Sequence, residues 1–242
     1  MKKILVIGDS CKDVYIYCSS ERMCPDKPVP VLKIIEQVEN PGMARNVYRN
    51  LLSKTNSCDI ITNDNWHKIT KTRYVHKSSN HMFFRIDSDE QIERIDLNKI
   101  DYKFDHIIIS DYNKGFLTEE DIQKISENHN SVFLDTKKIL GAWANNIKFI
   151  KINDYEYKRS KNFITSESNN KIIQTSGENG CFYQGKQYPV AKLDVIDVSG
   201  AGDSFLAGLV LEYSKSDNII KSIKYANKCA SKVVQEQGVT TI

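Results

Sequence analysis

The chain has 242 residues, of which 40% are hydrophobic and 27% are charged, with 34 Lys and Arg against 31 Asp and Glu. This length and composition allow a substantial buried core and exclude intrinsic disorder. The charges are interspersed rather than gathered into a basic block, so we do not expect a nucleic-acid partner. No run is apolar enough for a signal peptide or a membrane span, and we therefore expect a cytoplasmic protein with no membrane partner.

Six cysteines are scattered along the chain without a Cys-x-x-Cys pair. Zinc sites generally require closely spaced ligand pairs, so we interpret these residues as reduced thiols. A structural zinc bound by Cys11, Cys18 and Cys24 is the minor alternative.

Short apolar runs rich in β-branched residues recur along the chain and are typical of buried strands. We predict such strands at 3–7, 59–62, 106–109, 132–134, 149–152 and 171–174. Helical spacing of apolar residues predicts helices at 42–54, 118–128, 139–145, 201–213 and 219–235. This alternation predicts an α/β fold with a parallel sheet covered by helices. The spacing of Thr118 and Asp121 predicts a capping box at the start of the second helix.

A second group of strands is not separated by helices. We predict these strands at 14–18, 29–36, 71–76 and 82–86, with a turn at Ser78-Ser79-Asn80 before the last one. They indicate a small antiparallel flap, with strands from about 14–36 and 71–88, on a single domain that spans 1–242. A further hairpin is expected at 181–183 and 187–190. Open strand edges and apolar faces are usually covered, so we expect a homodimer joined through the flap.

The segment from Asp197 to Phe205 joins a strand to a long helix and has the sequence DVSGAGDSF. Its two glycines let the backbone approach a ligand closely, and the unpaired N–H groups of a first helical turn favour an anion. Asp203 lies beside this anion site, where a carboxylate indicates a cation or a proton transfer. The alternative is that Ser199 and Asp203 merely cap the helix.

This segment resembles the C-terminal signature of the PfkB (ribokinase) carbohydrate kinases, DTxGAGDxF. The resemblance implies a ribokinase-like three-layer Rossmann-type sandwich with a small β flap as a lid, and phosphoryl transfer from ATP to a sugar hydroxyl. It implies further that Gly200, Ala201 and Gly202 form the hole for the transferring phosphoryl group and that Asp203 is the catalytic base. Such chemistry depends on positioning and electrostatic stabilisation.

Two further segments match motifs of the same family in the same order. The run from Asn153 to Glu156 resembles its NxxE motif, which implies that both residues bind Mg²⁺ or nucleotide phosphate. The run from Thr175 to Gly180 resembles a TxGxxG turn, which implies nucleotide binding by Thr175, Gly177 and Gly180. Without the resemblance, Asn153 reads as an ordinary helix N-cap and the glycines as a common turn.

The N-terminal half is similar to the branch of this family that phosphorylates heptose phosphates. The similarity lies in segments 8–13, 22–31, 41–46, 84–87 and 110–115. It implies that Asp9, Asp13 and Asn46 hydrogen-bond sugar hydroxyls and that a substrate phosphate is held by a cation of the set Arg22, Arg85 and Lys114. For each cation, a solvated surface charge is the alternative. Asp13 enters an otherwise apolar strand, where a carboxylate needs a partner.

The chain also departs from the family pattern. The usual double glycine is Gly42-Met43 here, which implies a stiffer hinge for the lid. A helix–strand unit is missing between 61 and 69, so the chain is a shortened version of the family. We expect a compact active kinase that acts on a heptose 7-phosphate or a related sugar. A kinase for another sugar or nucleoside and a catalytically silent nucleotide-binding protein are the alternatives.

Overall fold

The computed structural model describes residues 2–88 and 91–242, which form two sheets and six α-helices. The strands are β1 (Ile4–Gly8), β2 (Ser10–Ser19), β3 (Lys33–Met43), β4 (Cys58–Ile61), β5 (Thr70–His76), β6 (Met82–Asp87), β7 (His106–Asp111), β8 (Val132–Thr136), β9 (Phe149–Asn153), β10 (Ile172–Thr175), β11 (Cys181–Tyr183) and β12 (Lys186–Tyr188). The helices are α1 (Ala44–Leu52), α2 (Glu119–Asn128), α3 (Asp154–Ser160), α4 (Ser166–Asn169), α5 (Ala201–Ser216) and α6 (Ile219–Val233).

The main sheet has eight strands in the order β12-β11-β10-β9-β8-β7-β1-β4. The six strands from β10 to β4 in this order are parallel, and the hairpin β11–β12 adds two antiparallel strands at one edge. The predicted parallel sheet and the hairpin are therefore confirmed. Parallel pairing places the carboxyl ends of β1, β7, β8 and β9 at the same edge of the sheet.

Side chains of alternate residues on each strand pack against helices on opposite faces of the sheet. Ile4 and Val6 of β1 belong to the core beneath α1, α5 and α6, whereas Leu5 and Ile7 belong to the core beneath α2. Burial of each such side chain stabilises the fold by about 1.5–3 kcal/mol. The predicted three-layer arrangement is confirmed, and it holds the carboxyl edge of the sheet between two packed helix layers.

The flap is a four-stranded sheet in the order β3-β2-β5-β6. The pairs β2–β3 and β5–β6 are antiparallel as predicted, but β2 and β5 are parallel. This difference has a topological cause. The parallel strands β1 and β4 lead into β2 and β5 respectively, so both flap strands leave the main sheet in the same direction.

Several predicted boundaries are corrected by the structure. The helix predicted at 139–145 is only a 3₁₀ turn at Ala142–Ala144, because Gly141 inside the segment has an extended backbone and interrupts it. The strand predicted at 29–36 begins at Lys33, since Pro28 and Pro30 cannot donate to a strand ladder. The capping box of Thr118 and Asp121 is confirmed. No helix within the described part of the chain could cross a membrane.

Candidate active site

The candidate site lies where the carboxyl ends of β1, β7, β8 and β9 meet the N-terminus of α5. Open parallel sheets commonly bind ligands in such a crevice. Asp9 follows β1, Tyr112 follows β7 and Asn153 ends β9, so residues far apart in the sequence converge here.

The N-terminus of α5 has no side-chain cap. Gly200 occupies the N-cap position with φ 77°, and a Cβ atom there would lie 2.9 Å from Nδ2 of Asn46. A Cβ atom on Gly202 would lie 2.9 Å from Nζ of Lys151. Ser199 does not cap the helix, because no side chain of the described residues bonds to the N-terminal N–H groups of α5. The Ser199 N–H donates to Oδ1 of Asp197. The positive φ at Gly200 favours glycine, and a side chain on Gly202 would displace the Lys151 ammonium group. The partial positive charge of the helix end is left for an anion.

The Asp203 side chain is buried on the first turn of α5, with 5% of the residue exposed. Nδ2 of Asn46 donates to Oδ2 of Asp203 at 2.8 Å, and the Tyr112 hydroxyl donates to Oδ1 at 2.7 Å. Burial raises the pKa of Asp203 to about 6, although both donors oppose this rise by stabilising the carboxylate. A carboxyl group with this pKa is ionised at neutral pH and can still accept a proton.

A buried polar network fixes the amide of Asn46 on α1. Nδ2 of Asn50 donates to the backbone carbonyl of Asn46 at 2.8 Å and to its side-chain Oδ1 at 3.4 Å. The Ser204 hydroxyl donates to Oδ1 of Asn50 at 3.2 Å. The network ties α1 to α5 next to Asp203. Asn46 and Asp203, which the sequence assigned to sugar binding and catalysis respectively, are therefore in direct contact.

Two lysines at the carboxyl edge of the sheet were not predicted as site residues. Lys151 is buried on β9 and pairs with Oδ2 of Asp135 at 2.7 Å. Lys137 pairs with Glu156. A lysine inside the apolar run 149–152 was a signal that sequence reasoning could have used, because a buried charge needs a partner. Lys151 lies beside Gly202 and adds a positive charge next to the end of α5.

Asn153 and Glu156 form a capping box at the start of α3. Oδ1 of Asn153 accepts from the Glu156 N–H at 2.9 Å, and Oε2 of Glu156 accepts from the Asn153 N–H at 2.8 Å. Asn153 is therefore the N-cap of α3, which was the alternative interpretation of this residue. The same contacts hold the Glu156 carboxylate at the carboxyl edge of the sheet, so a role in metal binding stays a prediction.

A cavity of about 570 Å³ opens beside the N-terminus of α5. Its walls include Thr175, Gly177 and Gly180, which were predicted to bind nucleotide, together with Ala201 and Gly202. Asn153 is not among the lining residues. This volume is within the range of small-molecule and cofactor sites. A larger and more open depression of about 670 Å³ lies beside β10 and β11, and none of the predicted site residues lines it.

The flap places Asp13 close to the main sheet. Oδ1 of Asp13 accepts from the Arg73 guanidinium at 2.5 Å, which supplies the partner that this carboxylate was expected to need. Within the described residues, Oδ2 of Asp13 has no hydrogen bond. It is therefore available to a ligand.

Asp9 has a different environment from the one expected for a sugar ligand. Its buried carboxylate accepts hydrogen bonds from the backbone N–H groups of Tyr112, Lys114 and Phe116. Burial and the nearby Asp111 raise its pKa. Asp9 thus fixes the loop that carries Tyr112, and its contact with a sugar stays a prediction.

The three cations predicted to hold a substrate phosphate lie at the surface. Arg22 and Lys114 are exposed, and their side chains make no ion pair within the described residues. Arg85 is directly opposite Arg73 in the β5–β6 ladder, so it is on the same face of the flap, and it pairs with Asp87. The structure therefore brings none of the three into contact with Asp203.

Comparisons with known proteins agree with this arrangement. The sequence profile described as "pfkB family carbohydrate kinase" matches residues 32–242. The bifunctional protein HldE of Helicobacter pylori strain J99 is 29% identical over 295 residues, which cover 98% of this chain and 64% of the relative. The bifunctional protein HldE of Nitratiruptor sp. is 28% identical over 291 residues, which cover 99% of this chain and 63% of the relative. The chain therefore spans just under two-thirds of the length of these curated relatives.

Both alignments are longer than the 242 residues of the chain. In the matched region, these relatives therefore have residues without a counterpart here, in agreement with the predicted shortening.

Solved structures show the same fold. The ribokinase of Thermotoga maritima has a TM-score of 0.71 at 17% identity and covers 99% of this chain and 95% of its own. The nucleoside kinase of Methanocaldococcus jannaschii has a TM-score of 0.71 at 16% identity and covers 99% and 93% respectively.

The predicted ribokinase-like fold and the predicted family are both confirmed. The fold likeness covers almost the whole chain, and the profile includes the GAGD segment that forms the N-terminus of α5. The chain belongs to the pfkB family of carbohydrate kinases.

Proposed function

We propose that this sugar kinase transfers the γ-phosphoryl group of ATP, with Mg²⁺, to a hydroxyl of heptose 7-phosphate or a related sugar phosphate. One observation carries the proposal. A buried carboxylate, Asp203, is held by two hydrogen-bond donors at an uncapped helix N-terminus, which borders a cavity of about 570 Å³. The similarity of the N-terminal half to the heptose-phosphate kinase branch supports the choice of acceptor.

In the proposed mechanism, the acceptor hydroxyl approaches Asp203 and gives its proton to the carboxylate as its oxygen bonds to the γ-phosphorus. The bond from the γ-phosphorus to the ADP oxygen breaks in the same step, and ADP leaves. The backbone at Gly200, Ala201 and Gly202 presents the positive end of α5 to the transferring phosphoryl group. Lys151 adds a fixed cation beside Gly202. Asp13, through its available Oδ2, accepts a hydrogen bond from another hydroxyl of the sugar and fixes the orientation of the ring.

The residues present fit a hydrated Mg²⁺. Within the described residues, no group of three or more His, Cys, Asp or Glu could hold a metal without other ligands. Mg²⁺ in such enzymes usually keeps several waters and uses one or two carboxylates plus substrate phosphates. Glu156 is one candidate, and Asp135 is another because its buried Oδ1 has no hydrogen-bond partner. When bound, the ion would neutralise charge on the phosphates.

A panel of acceptors tests the proposed substrate. ADP release is measured with heptose 7-phosphate, fructose 6-phosphate, ribose and adenosine at equal concentrations, with and without Mg²⁺. We expect Mg²⁺-dependent turnover that is fastest with heptose 7-phosphate. Faster turnover of ribose or adenosine would mean that the acceptor is a neutral sugar or a nucleoside. This is the second candidate function, since a ribokinase and a nucleoside kinase have the same fold.

The proposal includes a homodimer formed through the outer face of the flap. This face carries exposed apolar side chains on two strands, with Ile34 at 61%, Phe84 at 46% and Ile86 at 54% exposed. Apolar patches on an open sheet are usually covered by a partner. A second copy of the chain offers the same face, and two such faces can pair symmetrically.

A further inference from the structure

Lys71 lies on the face of the flap that is turned toward the candidate site. In the strand ladders, Lys71 of β5 is directly opposite Asp13 of β2 and Asp87 of β6, so the three side chains are on one face. The Lys71 ammonium group is 5.1 Å from the centre of the Tyr112 ring. Since the Tyr112 hydroxyl donates to Asp203, Lys71 is separated from the proposed base by one side chain.

Lys71 differs from the other cations of the site because its charge is not compensated. Arg73, Lys137 and Lys151 each pair with a carboxylate. Lys71 makes no ion pair with any carboxylate of residues 2–88 and 91–242, and its ammonium group lies over the face of the Tyr112 ring. The side chain is half-buried. An uncompensated, partly desolvated ammonium group attracts an anionic ligand.

The anion expected at Lys71 belongs to the acceptor rather than to the nucleotide. The cavity assigned to the nucleotide is bordered by β10, α5 and α6, and no residue of the flap lines it. Lys71 instead lies on the side of Asp13 and Tyr112, where the sugar is proposed to bind. Arg85, which the sequence predicted to hold a substrate phosphate, is on the same flap face, but it lies on the edge strand β6 and is paired with Asp87.

From this arrangement we infer that Lys71 binds the phosphate group of the acceptor and determines the preference for a sugar phosphate over a neutral sugar. The inference rests on the proposed function, and it adds a specificity residue that neither the motifs nor the comparisons assign. A charge-assisted contact of this kind contributes a factor of about 10–150 in kcat/KM.

Paired acceptors test the assignment. The ratio of kcat/KM for heptose 7-phosphate to that for the unphosphorylated heptose is measured in the wild type, in Lys71→Met and in the control Lys68→Met. Met keeps the apolar stem and removes the charge, and Lys68 is an exposed lysine before the same strand. We expect the ratio to fall by at least about tenfold in Lys71→Met and to stay unchanged in Lys68→Met. If Lys71→Met does not fold, Lys71→Gln takes its place with the same expectation.

The outcomes separate this inference from the proposed function. If the wild type turns over the sugar phosphate and the ratio is the same in the Lys71 variant, the inference is wrong and the kinase proposal stands. If no acceptor is turned over, the proposed function is wrong, and calorimetry of the two heptoses then decides the inference. Tighter binding of heptose 7-phosphate that is lost in the Lys71 variant supports it, and equal binding of both heptoses overturns it.

Discussion

The carboxyl group of Asp203 is subject to two opposing influences. Burial disfavours the ionised form, whereas the hydrogen bonds from Asn46 and Tyr112 stabilise it. The net result is a pKa of about 6, so the ionised form predominates at pH 7. The helix N-terminus that the sequence predicts beside Asp203 favours the ionised form. The burial that raises the pKa of Asp203 depends on residues distant in the chain, so the sequence did not indicate it.

Removal of the Tyr112 hydroxyl tests this balance. Tyr112→Phe deletes a donor that favours the carboxylate, so the pKa of Asp203 should rise further above its ordinary value. We expect the acid limb of kcat against pH to move upward by up to about one pH unit. The control is Tyr102→Phe, which lies before β7 and outside the site. An acid limb at the same pH in Tyr112→Phe and in the wild type would show that this hydrogen bond does not tune the base.

Only part of the residue-level site could be predicted from the sequence. The GAGD motif identifies Asp203 and the glycines because the spacing is local. The contact of Tyr112 with Asp203 joins positions 91 residues apart, which no local pattern reveals. Lys151 was detectable as a charge in an apolar strand, but its pairing with Asp135 follows from the β8–β9 neighbourhood.

At the scale of elements, the junction of β3 and α1 is strained. Met43 is the N-cap of α1 with φ 59° and ψ −131°, a combination that residues with a side chain rarely adopt, and the family pattern has glycine there. The side chain is also buried with Cys11 and Ile69. The stiffer hinge implied by the sequence stays a prediction. The structure is consistent with it in one respect, because Met43 combines a strained backbone with a buried side chain.

Two substitutions separate strain from packing at this junction. Met43→Ala and Met43→Gly both lose the buried side chain, but only glycine also relieves the strain. We therefore expect Met43→Gly to be more stable than Met43→Ala by about 1 kcal/mol, although glycine is ordinarily the less stable residue. Urea unfolding monitored by circular dichroism measures the difference. Greater stability of Met43→Ala would mean that the backbone is not strained at this position.

Element types were more predictable than their limits. The short apolar runs at 106–109 and 132–134 are typical of central strands, and both form strands in the structure. Some strands end at a proline although the apolar pattern continues beyond it. For example, β12 ends at Tyr188, directly before Pro189. The parallel pairing of β2 with β5 was not predictable from either strand, since it depends on where each chain segment leaves the main sheet.

At the scale of the whole molecule, the two faces of the flap differ in chemistry. The face toward the site carries Asp13, Lys71 and Arg73, whereas Phe84 and Ile86 are exposed on the opposite face. This alternation lets one small sheet contribute to the candidate site with one face and to the proposed dimer interface with the other.

A charge on the outer face of the flap tests the proposed dimer. We expect the wild type to sediment as a dimer at micromolar concentration and Phe84→Glu to sediment as a monomer, because a carboxylate in an apolar interface loses its hydration. The control is Glu36→Gln, which alters a charged, exposed residue of the same sheet. A wild-type protein that is only monomeric at this concentration would remove the dimer from the account.

The measurement that tests the central claim most directly is turnover by Asp203→Asn. A positioned carboxylate base contributes on the order of 10²–10⁴ in rate, so kcat with the best acceptor should fall by at least about 100-fold, with ATP binding retained. Because the folded-state pKa lies above the ordinary 3.8, the ionised carboxylate destabilises the fold above pH 6, and this destabilisation disappears as the pH falls through 6 toward 3.8. The variant should therefore have a melting temperature at pH 7 no lower than that of the wild type. Near-normal turnover by a well-folded Asp203→Asn protein would contradict the account, since the buried carboxylate would then not be the base.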